Sequence, residues 1–456
     1  MPKNIRYNNI DPYRSLVAGV DTRIPLDNGS YTMAINFDNA ATTPPFLSVV
    51  KDIDNFIPWY SSIHRGKGYK SVMSTDLYED ARQTIKDFVK ADSDNDTVVY
   101  TKNTTEAINI LAYILSQQKN GKDVVLSTWM EHAANDLPWR DKFTVDYIET
   151  DGFGRLSMDS LENKLKKYKD KVRIVTVTGA SNVTGYINDV YTIAALAHRN
   201  GAEIHVDGAQ LVPHLPVNMK PFGTDSHIDY LSFSAHKMYA PYGSGALIGP
   251  KSTFKIGLPY CQGGSAISLV THDKIWWEEP PHKDEASTPN LLGIVALISS
   301  IKTLTSLGMD NIFKHERSLL YYAYEKMKSI PGITFYSHPE IQASIGVIPF
   351  NMEGVHHSLM SAILSYEAGI AVRNGFFCAH PYCERLLGYS AQDMEDMMRD
   401  SKSIFPGIVR ASFGIYNGFN EIDRFIAFLN QIALNKKYYV DKYGNSRSRY
   451  HIKNEV

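Results

Sequence analysis

Cysteine is scarce in this chain: 456 residues hold three, Cys261, Cys378 and Cys383. An odd count without paired CxxC spacing excludes a disulfide framework and offers no zinc-ligand pattern, so no metal is expected. Excess charge of either sign is missing too, with a formal net charge of −2. No strong field then attracts nucleic acid or an anionic membrane, and a small substrate is the better expectation. No apolar stretch approaches the ~20 residues of a membrane span. The opening MPKNIRYNNIDPYRS lacks an apolar core of signal-peptide length. These absences lead to the expectation of a soluble, cytoplasmic protein.

What is present is enough apolar sequence, 43% of residues, for a large core divided among two or three domains. Short β-rich runs at 97–101, 123–128, 173–178, 203–207, 230–234 and 246–249 alternate with helical patterns. That alternation predicts a three-layer α/β domain with a mostly parallel sheet, over residues 31–288. From Pro289 longer amphipathic helices (291–307, 312–329) and strands near 345–350 and 407–412 predict a smaller α+β domain, 289–436. An N-terminal segment, 1–30, is expected to pack with the smaller domain, and 437–456 reads as a polar tail.

Chemistry concentrates at strand ends, where ligands of parallel sheets bind. Ser234-Ala235-His236-Lys237 follows an apolar run and precedes a glycine-rich stretch, placing Lys237 at a strand end. His205-Val206-Asp207 ends another run with a carboxylate. Pyridoxal 5′-phosphate (PLP) requires such a pair: a lysine to hold its aldehyde carbon and an anion to keep its ring nitrogen protonated. Gln210 is placed to donate to the ring's phenolic oxygen. Thr104-Thr105-Glu106 opens a helix after a strand, so hydroxyls and free N–H groups converge as a phosphate site. No GxGxxG fingerprint or Walker lysine lies nearby, which disfavours nucleotides.

These segments form an ordered series with Phe37-Asp38-Asn39-Ala40-Ala41, Ile63-His64-Arg65-Gly66, Met130-Glu131-His132, Ser181-Asn182-Val183, Glu285-Ala286-Ser287-Thr288-Pro289, Arg373-Asn374-Gly375-Phe376-Phe377-Cys378-Ala379 and Arg410-Ala411-Ser412. The series resembles the class V aminotransferase superfamily, in its cysteine desulfurase and selenocysteine lyase branch. The resemblance implies the PLP-dependent transferase fold of type I and a homodimer with shared PLP sites. It assigns His132 to stacking on the PLP ring, and Thr104, Thr105, Ser234 and His236 to the phosphate. Thr288 would reach the phosphate of the neighbouring subunit. Asn182 and Arg410 would bind the substrate carboxylate, which an arginine fork takes bidentately, with His64 beside the substrate and Arg373 fixing either the substrate or the loop before Cys378. Lys237, once freed, would deprotonate Cα of a small amino acid. Cys378 would attack the sulfur of cysteine, releasing alanine and keeping a persulfide for a protein acceptor.

The chain departs from the second desulfurase subgroup at three places. Phe376 and Phe377 stand where two histidines are usual, and Ala133 where another is common. The fold and PLP site are untouched by this, but a second reading stays open: an aminotransferase, epimerase or C–S lyase on another amino acid, with Cys378 structural. A scaffold that has lost catalysis is disfavoured by intact Lys237, Asp207, His132 and Arg410. Cys383 is expected to stay reduced rather than pair with Cys378. Tyr321, Tyr322, Tyr324, Trp276 and Trp277 read as packing or interface residues, not a base-stacking surface.

Overall fold

Runs such as Val172–Thr178 and Tyr230–Ser234 bury every residue, as strands covered on both faces must. The computed structural model describes residues 13–118, 120–221, 225–400 and 403–444. Two compact units emerge: a larger one of Pro45–Asn182 and Tyr186–Asn311, and a smaller one of Met1–Pro44, Val183–Gly185 and Ile312–Val456.

The larger unit is built on a sheet of seven strands: β1 (Asp96–Thr101), β2 (Val124–Thr128), β3 (Thr144–Ile148), β4 (Val172–Thr178), β5 (Glu203–Asp207), β6 (Tyr230–Ser234) and β7 (Gly245–Pro250). Their order is β1-β7-β6-β5-β4-β2-β3. Strand β7 is antiparallel to both neighbours, and the other pairs are parallel. Register aligns Thr178 with Asp207, Asp207 with Ser232, and Gly245 with both Thr101 and Ser234. The carboxyl ends of β1, β5 and β6 therefore share one edge. Strand β3 escapes the sequence reading because it is an edge strand of half-buried, polar residues, TVDYI.

Helices α1 (Leu47–Phe56), α2 (Tyr69–Val89), α3 (Thr104–Ser116), α4 (Val190–Arg199) and α5 (Leu291–Leu307) belong to this unit. Helix α3 buries Ala107, Ile108, Leu111, Ile114 and Leu115, the larger of which contribute about 1.5–3 kcal/mol each. Helix α5 packs on α1 and α2, burying Leu291, Ile294, Leu297 and Ile301. That packing moves the boundary to Asn311 from the expected 288.

The smaller unit holds most of α6 (Met309–Met327), then β8 (Ile333–Phe335), β9 (Val347–Met352), α7 (His357–Ala368), β10 (Arg373–Gly375), α8 (His380–Leu387), β11 (Ile408–Ser412), α9 (Phe419–Leu434) and α10 (Lys436–Gly444). Its sheet runs β8-β9-β11-β10, all antiparallel. Residues 31–44 join this unit rather than the larger one. Ile35–Asn36 pairs with Ile370–Ala371, and the Phe37 ring sits edge-on to Phe413 and Phe425 at 5.0 and 5.5 Å. The N-terminal segment is tied to the same unit by Arg14, whose Nη1 lies 2.9 Å from Glu421 Oε1; residues 1–12 of the expected segment lie outside the described residues. The expected polar tail begins as α10, which buries Tyr439 and Tyr443 in the core. Only its remainder, 445–456, lies outside the described residues. Among the described residues no single helix is long and apolar enough to cross a membrane.

Candidate active site

Lys237 closes one 3₁₀ turn, Ala235–Lys237, directly after β6. The turn is held on both sides: Ala235 N–H donates to Ser244 O at 2.9 Å and Met238 N–H to Ala235 O at 2.8 Å. Ser300 Oγ of α5 donates to Met238 O, and the Phe46 ring stacks on Tyr239 at 4.4 Å. A half-buried amine is thus aimed from a fixed backbone. Asp207, at the end of β5, is buried, and its Oδ1 accepts Ala209 N–H at 2.9 Å. Burial pushes its carboxyl up, partly offset by that N–H and by the Lys237 charge. Burial and the same Lys237 charge push the His236 imidazole down to about 4, so it is neutral at pH 7.

The anion-binding candidate lies where β1 runs into α3. Asn103 caps the helix, its side chain accepting Glu106 N–H at 3.0 Å. Thr104 N–H donates to Ser234 Oγ at 2.8 Å, and the two hydroxyls lie 2.7 Å apart. The ends of β1 and β6 are therefore drawn together at a helix N-terminus, whose partial positive charge suits an anion. Gly245 makes the approach sterically feasible: a Cβ there would lie 2.6 Å from Phe233 O and 3.0 Å from Asn103 Cα. Thr105 is exposed.

His132 caps the short turn Ala133–Asn135, its Nδ1 accepting Ala134 N–H at 3.0 Å. That bond fixes the tautomer of a neutral ring, leaving the proton on Nε2. Beneath it lies a carboxylate to which the sequence reading gave no role. Glu131 is buried and accepts from Thr128 Oγ1 (2.7 Å), Asn135 Nδ2 (2.6 Å) and Thr178 N–H (2.9 Å). Burial pushes it up to about 8 against those three bonds. The available signal was an acidic residue three positions after the end of an apolar strand, in TWMEH.

Not every expected residue joins these groups. Asn182 and Gln210 are buried, whereas Thr288 is exposed, following Ser287 at φ +71°. His64 belongs to another network: its Nε2 lies 2.9 Å from Glu79 Oε1, and its ring is 4.9 Å from that of His282. Glu79 also receives Arg82 Nε at 3.0 Å, and Arg82 pairs with Glu285 at 2.7 Å. Glu285 in turn accepts Tyr100 N–H and Tyr78 Oη, each at 2.8 Å.

The smaller unit carries its own chemical group. Arg373 of β10 stands directly opposite Arg410 of β11, an arrangement that repels unless neutralised. Asp38 supplies the anion: Arg410 Nη2 donates to its Oδ1 at 3.0 Å, and Arg373 Nη1 lies 3.8 Å from its Oδ2. Arg410 is 3% exposed in its side chain, and its guanidinium carbon sits 4.7 Å from the centre of the Phe377 ring. Phe377 and Cys378 are successive left-handed residues, φ +53° and +56°, a conformation costing about 1–3 kcal/mol per non-glycine residue. Cys378 is exposed. Cys383 is buried, and its Sγ donates to Phe376 O at 3.3 Å; burial pushes that thiol up, so it stays protonated.

The Aminotransferase class-V family model matches residues 35–425. A curated relative named cysteine desulfurase, from Haloferax volcanii, is 35% identical over 402 residues, spanning 87% of this chain and 88% of its own. The cysteine desulfurase of Thermococcus onnurineus NA1, solved in its apo form, superposes with a TM-score of 0.78 at 30% identity, covering 88% of this chain and 95% of its own. The cysteine desulfurase CsdA of Escherichia coli gives 0.77 at 26% identity, over 93% and 98%.

Proposed function

The chain belongs to the class V aminotransferases, and on that premise we propose that it is a PLP-dependent cysteine desulfurase that turns L-cysteine into L-alanine and keeps the sulfur on Cys378. The donor set of the larger unit fits the cofactor. Lys237 offers an amine for its aldehyde carbon, and buried Asp207 offers an anion whose bonded partner among the described residues is the Ala209 N–H alone. Thr104 and Ser234, with exposed Thr105, offer hydroxyls at a helix N-terminus for its phosphate. PLP, when bound, supplies an electron sink to the Cα of an amino acid.

The residues of the chain then divide the work. Asp207 would hold a positive charge on the cofactor's ring nitrogen, and His132, its tautomer set by Ala134, would stack on the cofactor's ring. The Lys237 amine takes the Cα proton. Arg410 receives the substrate carboxylate through its planar fork, with Asn182 as a second donor. The Cys378 thiolate attacks the substrate sulfur: an S–S bond forms, the C–S bond breaks with its electron pair left on carbon, and a proton completes the methyl group of alanine. The enzyme is left with a persulfide, which a protein acceptor in the cytoplasm would draw off. Two copies of the chain would share their PLP sites, with Thr288 serving the neighbour's phosphate.

The observation that carries this reading is the exposure of Cys378 from a turn of two left-handed residues. A merely structural cysteine, as the other class V reactions would have here, packs in the interior, and in this segment that place is taken by Cys383. Cys378→Ala is expected to abolish alanine release and persulfide formation from L-cysteine while leaving the PLP absorbance intact. Alanine release at the wild-type rate would sink the proposal.

A further inference from the structure

Where relatives of the second desulfurase subgroup carry histidines, this chain places an aromatic ring on the Arg410 guanidinium, one residue before Cys378. Phe377 is buried, with its ring against the Arg410 guanidinium at 4.7 Å, while its backbone carries the first of the two left-handed conformations that turn Cys378 outward. A cation over an aromatic face is attracted to it, the more so when both are desolvated. Arg410 is itself fixed, by Asp38 at 3.0 Å and by its strand pairing.

The other side of the turn is fixed as well. Phe376 O accepts Ala379 N–H at 2.9 Å and the Cys383 thiol at 3.3 Å. Strained backbone persists only where surrounding contacts over-determine it, and the contacts here include the Phe377 ring on Arg410 at 4.7 Å and the Phe376 ring 4.8 Å from that of His380.

We propose that Phe377 is a positioning residue that couples the arginine receiving the substrate carboxylate to the presentation of the Cys378 thiol. The proposal rests on the desulfurase reading for its catalytic consequence, but the coupling itself is a property of the resting protein. Moving the guanidinium displaces the ring, and displacing the ring releases the turn. Arg410 thus serves twice, as a carboxylate receptor and as the seat of the turn.

The test uses the full-length, PLP-loaded enzyme with Cys261→Ser, so that Cys378 is the remaining exposed thiol. Alkylation of Cys378 by iodoacetamide is followed by peptide mass mapping in Phe377→Leu, Arg410→Gln, their combination and Phe377→Tyr. Phe377→Leu and Arg410→Gln are each expected to change the rate by about threefold or more in the same direction, with the double variant no further changed, as coupled residues behave. Phe377→Tyr, which keeps the aromatic face, should stay within about twofold of the parent rate. In turnover, Phe377→Leu should lower kcat by about tenfold, whereas Phe377→Tyr should not. Unchanged alkylation in Phe377→Leu, or independent effects of the two single variants, would overturn the coupling. Should Phe377→Leu fail to fold, the Arg410→Gln rate still decides, because no change there removes the seat from the argument. Failure of the desulfurase reading shows differently, as a wild-type enzyme that yields no alanine from L-cysteine whatever its alkylation pattern.

Discussion

Glu131 is one of the buried carboxyl groups that set a pH dependence in the larger unit. Glu131, pushed up to about 8 by burial, keeps its proton in the folded chain to higher pH than an unfolded chain would. Its contribution to stability is therefore full in acid and is lost as pH rises from the ordinary carboxyl range through about 8. Each pKa unit corresponds to about 1.4 kcal/mol, so the loss across this window is on the order of a few kcal/mol. Glu131→Gln removes the titration. Between about pH 5 and about pH 9 its guanidinium unfolding midpoint should fall less than that of the wild type; parallel profiles would refute the assignment. Residues of this kind were the least legible in the sequence. Lys237 and Asp207 could be read because a charged residue ending an apolar strand is conspicuous. Glu131 stands in a similar place, but its meaning depends on Thr128, Asn135 and Thr178, which only the folded sheet brings to it. His64 shows the converse: sequence order does not reveal that its Nε2 lies 2.9 Å from Glu79 Oε1 on α2.

Between elements, one buried ion pair fastens the segment before Thr288 to α2 and β1. Arg82 and Glu285 are both nearly inaccessible, and Glu285 also accepts from the backbone of β1 and from Tyr78. Removing one partner of such a pair strands the other charge and costs ~3–5 kcal/mol. Arg82→Met should therefore lower the denaturant midpoint sharply, and Arg82→Met with Glu285→Leu should recover part of the loss. A double variant worse than the sum of its parts would show that Glu285 matters chiefly for Tyr78 and Tyr100. At this scale the sequence was legible wherever an element is covered on both faces, as with β1, β4 and β6. It was not where burial is one-sided. Strand β3 is half-exposed, and α10 hides its two tyrosines, four residues apart, within the polar stretch KKYYVDKYG. The domain boundary moved for a related reason, since the amphipathic pattern of α5 does not say which unit its apolar face will meet.

At the scale of the whole molecule, the larger unit leaves an unusual set of apolar side chains in water. Tyr69 is 72% exposed, and Trp59, Tyr60, Val72, Leu269, Val270, Ile275 and Trp276 are exposed with it. Leu269 and Val270 lie opposite Trp276 and Ile275 on one strand pair, and the Trp59 ring is 6.3 Å from that of Tyr69, so the exposed side chains are clustered rather than scattered, which favours a partner surface in keeping with the proposed homodimer. Light scattering should give about twice the mass of one chain. Leu269→Asp with Trp276→Asp should shift the protein toward the monomer and weaken PLP retention; a wild-type monomer at micromolar concentration would exclude the shared sites. The strand order has one further consequence, for the birth of the protein rather than its working life. Strand β1 enters the sheet only through β7, and Thr104 meets Ser234 across 130 residues of sequence. Contacts of such separation incur a large loop-closure entropy and slow folding. On the ribosome, the anion pocket cannot close until β7 has emerged. Capture of the proposed cofactor would then follow the completion of the larger unit's sheet rather than seed it.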